Sequence, residues 1–170
     1  MAVEHYGGNA AEVDGVFAKG EKYAELKDRH AAEVNALPMA WAFSDRQLDE
    51  VCSKLGVKSD DELCRGPGGS ICRKADLPSI LGCLKRHGAE MSKAMEDEEF
   101  AIFAFEYEAA NHEYHIAMEP DFDMAHCFGY PYSQEDGILW DKVPNGEFLR
   151  KCYIKGVRRH IKWCNEHDAY

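Results

Sequence analysis

The chain has 170 residues and carries 31 Asp plus Glu against 20 Lys plus Arg, for a net charge of −11. At 45% hydrophobic it can bury an ordinary core, which excludes wholesale disorder and a miniprotein held by disulfides. No run approaches the roughly 18 apolar residues of a membrane span, no N-terminal stretch reads as a signal peptide, and the acidity argues against sequence-independent nucleic-acid binding, so a cytoplasmic protein with reduced thiols is expected.

Residues 1–9 read as a loose terminus. From 10 to about 35, Val13, Phe17, Tyr23 or Ala24, Ala31 and Val34 recur near helical spacing, which predicts an amphipathic helix. Pro38 ends it, and residues 1–36 are expected to form an N-terminal helical extension to a compact domain over 37–170. Residues 39–43 are short, apolar and aromatic and predict a strand. Ser44 and Gln47 fit a capping box. The helix that follows carries Leu48, Val51, Cys52 and Leu55 on one face and closes at Gly56. Residues 70–73, after the turn at Gly66-Pro-Gly-Gly69, predict a second strand. Asp76 caps a helix whose stripe of Ile80, Leu81, Leu84, His87, Met91 and Met95 resumes in Phe100, Phe103 and Tyr107. One long helix running to about Asn111 is therefore expected, followed by a third strand over 114–118. Residues 120–128 suggest a helical turn, 130–146 a loop, and 147–165 a last helix aligning Leu149, Cys152, Tyr153, Gly156, Val157, His160, Ile161 and Cys164. The expected fold is α+β, mainly helical, with a small antiparallel sheet of about three strands. Trp41, Phe43, Leu48, Val51, Leu81, Leu84, Phe103, Tyr107, Ile116 and Val157 lie on the apolar phases and are the expected core.

The charge is unevenly spread. Residues 94–141 hold 13 Asp and Glu and not one Lys or Arg, whereas residues 142–170 are net basic. Aromatic residues interrupt the block, so it belongs to the fold and sets up a negative potential. Either the basic last helix (Arg150, Lys151, Lys155, Arg158, Arg159, Lys162) neutralises part of it, or the carboxylates form a surface resembling a phosphate array. In the second case Glu96, Asp97, Glu98, Glu99, Glu106 and Glu108 would meet a partner, and Asn111, His112 and Glu113 at the helix–strand junction would join them.

Seven Cys and eight His invite a search for zinc. Structural zinc sites use close ligand pairs, and no Cys-x2-Cys occurs. The better cluster is His112-x2-His115 with His126-Cys127; His160, Cys164 and His167 share one face of the last helix. Hydrolase and nucleotide signatures are missing: no His-Glu-x2-His, Gly-x-Ser-x-Gly or phosphate-cradling loop. No cofactor is therefore expected, and zinc is the one that His112, His115, His126 and Cys127 could hold.

Trp41-Ala-Phe-Ser-Asp-Arg-Gln47, Gly68-Gly-Ser-Ile71 with Arg73-Lys-Ala-Asp76, and Glu108-Ala-Ala-Asn-His-Glu-Tyr114 resemble an uncharacterised family of small proteins encoded by phages and mobile elements of gut bacteria. The resemblance spans about residues 39–130. It carries no activity and implies a setting: a small accessory protein of a phage, a class that often counters host defence by binding a nuclease complex. With the acidic block, the leading expectation is a non-enzymatic inhibitor of a host nucleic-acid-binding complex such as a CRISPR nuclease, acting in the host cytoplasm. It would bind neither nucleic acid nor membrane. The alternative is a small metal protein or enzyme built on His112, His115, His126 and Cys127.

Overall fold

The computed structural model describes residues 16–112 and 120–167. The third strand expected at 114–118, Ile116 of the expected core, and Glu113 and His115 lie outside the described residues. The elements in order are α1 (Val16–Asn35), β1 (Met39–Ala40), α2 (Asp45–Leu55), β2 (Leu63–Arg65), β3 (Ile71–Arg73), α3 (Leu77–Ala94), α4 (Glu98–Asn111), α5 (Pro120–Phe128), β4 (Tyr132–Ser133), β5 (Gly137–Ile138) and α6 (Gly146–His167). The fold is α+β, mainly helical, with a small three-stranded antiparallel sheet. No helix among the described residues is long and apolar enough to cross a membrane. The chain divides into two compact units, one of residues 27–91 and one of residues 1–26 with 92–170.

In the unit of residues 27–91, the sheet runs in the order β1-β3-β2, with Met39 opposite Cys72 and Cys64 opposite Cys72. Its two faces are covered differently. Ala40, Val51, Leu55 and Leu63 pack together on the α2 side, while Met39, Cys72 and Ile80 pack with Val34 and Leu77 on the other. Helix α2 forms as its sequence requires. Ser44 Oγ accepts from the Gln47 N–H at 3.3 Å, and Gly56 takes the left-handed C-cap at φ 66°. The return bond of the box reaches one residue further back, from the Phe43 N–H to Gln47 Oε1 at 2.6 Å.

Only part of the expected core is buried. Strand β1 ends at Ala40, so Trp41 and Phe43 leave the sheet and are 50% and 87% exposed. Leu81 is 49% exposed because the buried phase of α3 is Ile80, Cys83 and His87, one position away. Val51 and Phe103 are buried, while Leu48, Leu84, Tyr107 and Val157 are half-buried. The sheet's third strand is Leu63–Arg65, on the N-terminal side of the glycine turn.

The other unit is built around α4. The single helix expected over residues 77–111 is two, because Asp97 takes an extended conformation (φ −79°, ψ 124°) and its side chain accepts from the Phe100 N–H at 2.8 Å. Glu98 and Glu99 then fall in the first turn of α4, where negative charge favours the helix dipole. From Ala101 to Ala110 every residue of α4 except Tyr107 is buried. A helix covered on all sides is the centre of its unit.

Helix α6 buries Leu149, Cys152, Tyr153, Gly156, His160 and Cys164. Gly156 permits close approach to α4, since a Cβ there would stand 2.6 Å from the Ile102 carbonyl oxygen. At the middle of α4, Phe105 is fully buried with the rings of Phe128 and Tyr153 at 4.8 and 5.6 Å. The residues expected as a loop over 130–146 contain a two-stranded hairpin, β4–β5, and a short 3₁₀ turn at Trp140–Lys142.

Burial of α4 drags Glu106 inside at 2% exposure. Among the described residues, Arg159 on α6 is paired with it at 3.9 Å, too far for a hydrogen bond, and Glu106 Oε2 has no hydrogen-bond partner there. Desolvation outweighs the Arg159 attraction and pushes the carboxyl from 4.5 to about 7. A raised carboxyl favours its protonated form in the folded state. The resulting loss of stability is absent below pH 4.5, grows between 4.5 and about 7, and is complete above that. Glu106→Gln should therefore stabilise the chain by roughly 2–3 kcal/mol at pH 8 and by much less at pH 4. Thermal melts of both chains at the two pH values check this, and equal shifts would contradict it.

Candidate metal centre

Two groups of Glu, His and Cys converge among the described residues, one in each compact unit. Glu33, Cys83 and His87 meet in the unit of residues 27–91. There His87 Nε2 contacts Glu33 Oε2 at 2.9 Å and Cys83 Sγ at 3.5 Å. Arg86 also binds Glu33 and reaches Cys83 Sγ at 3.6 Å, and Arg29 adds a second guanidinium at 3.1 Å. Hydrogen bonds from His87, then Arg86 and Arg29, lower the Glu33 carboxyl to about 2. His30 stacks on His87 with centroids 4.0 Å apart and contacts Glu90 at 2.9 Å. Guanidinium groups occupy the place of a cation here. The group is an ion-pair network.

The second group is Glu108, His112 and Cys127. Glu108 and His112 come from the last turn of α4 at i and i+4, which places both on one face of the helix. His112 is its C-cap, with its N–H bonded to the Glu108 carbonyl at 3.0 Å. Cys127 comes from the last turn of α5, which Tyr153 of α6 anchors by donating its hydroxyl to Asp121 Oδ1 at 2.5 Å. Gly129, at φ 66°, closes α5 and turns the chain away.

The three donor atoms form a nearly regular triangle. Cys127 Sγ lies 3.4 Å from His112 Nε2 and 3.5 Å from Glu108 Oε2, and His112 Nε2 lies 3.6 Å from Glu108 Oε2. With Zn–S near 2.3 Å and Zn–N or Zn–O near 2.0–2.1 Å, the corners of a tetrahedral zinc site stand about 3.3–3.6 Å apart. The other carboxylate oxygen, Glu108 Oε1, accepts from the Tyr23 hydroxyl at 2.5 Å. Tyr23 is itself buried among Phe100, Tyr107 and Phe128. Burial first, and then the Glu108 charge, push its hydroxyl far above the ordinary tyrosine range, so it remains a donor. A bond of this kind orients a ligating carboxylate. Glu108 is 1% exposed, whereas the His112 side chain is 36% exposed and opens the group to solvent.

The structure brings together only part of the expected ligand set. His112 and Cys127 meet. His126 points back to its own helix, its Nδ1 donating to the Phe122 carbonyl at 2.9 Å. His160 and Cys164 touch at 3.4 Å inside α6, while His167 is exposed and bonded to the Trp163 carbonyl. Glu108 and Tyr23 were missed as members of this group. The spacing Glu108-x3-His112 on a predicted helix was a readable signal; Tyr23, 85 residues away, left none.

The expected partner-binding set is split as well. Glu96, Asp97, Glu98 and Glu99 are exposed around the start of α4. Lys93 pairs with Glu96, and Lys155 of α6 pairs with Glu98. Glu106 and Glu108 were expected on a continuous acidic surface; both are buried, because α4 is covered on every side. Asn111 and His112 are half-buried at its end.

A model described as a family of unknown function (DUF7659) matches residues 22–159, a span that holds Tyr23, Glu108, His112 and Cys127. No curated protein and no solved structure matches the chain.

Proposed function

We propose, for a chain that belongs to the family of unknown function (DUF7659), that it is a small metalloprotein holding one divalent transition-metal ion at Glu108, His112 and Cys127. The observation that carries this reading is the triangle of donor atoms, whose edges of 3.4, 3.5 and 3.6 Å match three corners of a tetrahedral site. A thiolate, an imidazole and a carboxylate together select zinc over magnesium or calcium, which take oxygen ligands. Three protein ligands of this kind leave a coordination position, and the partial exposure of His112 lets water reach it. A zinc-bound water ionises near neutral pH, so hydrolytic or hydration chemistry is the class of reaction such a centre supports.

Titration of the metal-free chain with Co²⁺ tests this reading. Cobalt bound by Cys127 should give a thiolate-to-metal charge-transfer band and tetrahedral visible absorption. Cys127→Ser should remove the band, and Glu108→Gln should weaken binding at least about tenfold, whereas His126→Ala should change neither. A wild-type chain without the band, or a band that survives Cys127→Ser, would contradict the assignment.

A second reading is the accessory protein of a phage or mobile element that blocks a host nucleic-acid-binding complex such as a CRISPR nuclease. Its support is the exposed run Glu96–Glu99. Such a protein acts by stoichiometric binding that weakens with salt, and a pulldown from host lysate at two salt concentrations separates it from the metalloprotein.

A further inference from the structure

Cys64 and Cys72 are direct partners in the β2–β3 register, and their sulfurs stand 3.7 Å apart. The Gly66 N–H bonds to the Ser70 carbonyl at 2.8 Å and the Lys74 N–H to the Glu62 carbonyl at 2.9 Å. Alternation along an antiparallel ladder then makes Cys64–Cys72 a hydrogen-bonded pair as well, with Cα atoms about 5.5 Å apart. That separation lies inside the ~4.4–6.8 Å that a disulfide spans. Rotation about the Cα–Cβ bonds therefore brings the sulfurs into bonding range without a change of register.

The two thiols have different surroundings. Cys72 is fully buried against Met39 and Ile80. Burial, followed by its contact with Cys64, raises its thiol to about 11. Cys64 is half-buried at the edge of the same cluster, on the outer strand β2, where a small oxidant can reach it. The more exposed sulfur is placed to meet an oxidant, and its buried neighbour stands next to it, where a resolving cysteine is needed.

We propose that Cys64 and Cys72 form a redox-responsive pair that closes to a cross-strand disulfide when a hydroperoxide oxidises Cys64. The Cys64 sulfur attacks the peroxide, the O–O bond breaks, and a sulfenic acid and one water (or an alcohol, from an organic peroxide) are formed. The Cys72 sulfur then attacks the Cys64 sulfur, the S–O bond breaks as the S–S bond forms, and the hydroxide leaves as water with the Cys72 proton. With hydrogen peroxide, two thiols lose two electrons and one peroxide becomes two waters. The product ties β2 to β3 across the Gly66–Ser70 turn. The resolving step needs the Cys72 thiolate, so closure should quicken as pH rises toward the Cys72 pKa.

The experiment treats the full-length chain with hydrogen peroxide, alkylates the remaining thiols in denaturant and maps peptides by mass spectrometry. The expected result is a peptide pair joined through Cys64 and Cys72, lighter by two hydrogens and restored by a thiol reductant. Cys72→Ser should leave Cys64 as a sulfenic acid that dimedone captures. Because Cys72 is buried, circular dichroism of that variant accompanies the assay, and Cys64→Ser, at the more exposed position, provides an independent check: it should leave Cys72 reduced at the same peroxide dose. Recovery of Cys64 and Cys72 both alkylated from peroxide-treated wild type, or a disulfide joining either one to a different cysteine, would overturn the proposal.

Discussion

Phe105→Ala should lower the stability of the chain by roughly 3–5 kcal/mol, the range for removing a fully buried phenyl ring. Phe105 is 0% exposed, and the rings of Phe128, Tyr130, Trp140 and Tyr153 surround it at 4.8–6.5 Å. Those rings come from the end of α5, the chain that follows it, and α6. A cavity at Phe105 would therefore loosen the contacts that hold α5, and with it Cys127, against α4. Denaturant unfolding followed by tryptophan fluorescence measures the loss. A change below about 1 kcal/mol would mean that α4 is not the centre of this unit.

Glu106→Lys should cost about as much, roughly 3–5 kcal/mol, because it buries an ammonium beside Arg159 where a carboxylate now stands. Glu96→Lys, at an exposed position paired with Lys93 in a surface contact, should change stability by no more than about 1 kcal/mol. The contrast bears on the acidic block directly. A continuous phosphate-like face would need both residues at the surface, and charge reversal at either would then leave the fold intact. Thermal melts of the two single variants decide the matter: equal, near-native melting temperatures would restore the continuous face, and a large loss confined to Glu106→Lys supports the geometry described above.

Where a local rule governs the chain, the sequence is enough to read it. Ser44 and Gly56 bound α2 because a side-chain oxygen and a left-handed glycine satisfy backbone groups within a few residues. Gly129 closes α5 in the same way. Asp97 obeys that rule too, yet in the run Glu96-Asp-Glu-Glu99 a capping aspartate looks like one more helical charge, and the break between α3 and α4 is concealed. Strand β2 is three residues long, too short for any alternation to register, and only pairing with β3 makes it a strand.

Tertiary burial is the harder part. Trp41 and Phe43 are apolar and exposed, while Glu106 and Glu108 are charged and buried, because position in the packing, not residue type, decides the outcome after β1 and along α4. The proposed metal centre divides along the same line. Glu108 and His112 are one helical turn apart, and Cys127 was already a candidate. Tyr23, which holds the carboxylate, is joined to it only by the fold. The acidic run is partly balanced by Lys93, Lys155 and Arg159, so the residues with the clearest chemistry lie at the far end of α4.

Elemental analysis of the full-length chain, purified without chelator and dialysed against metal-free buffer, tests the Glu108–His112–Cys127 centre most directly. About one zinc per wild-type chain is expected, with none above background in the His112→Ala and Cys127→Ala chains. A folded wild-type chain that retains no zinc after loading and dialysis, or one that keeps the same amount without Cys127, would contradict the assignment.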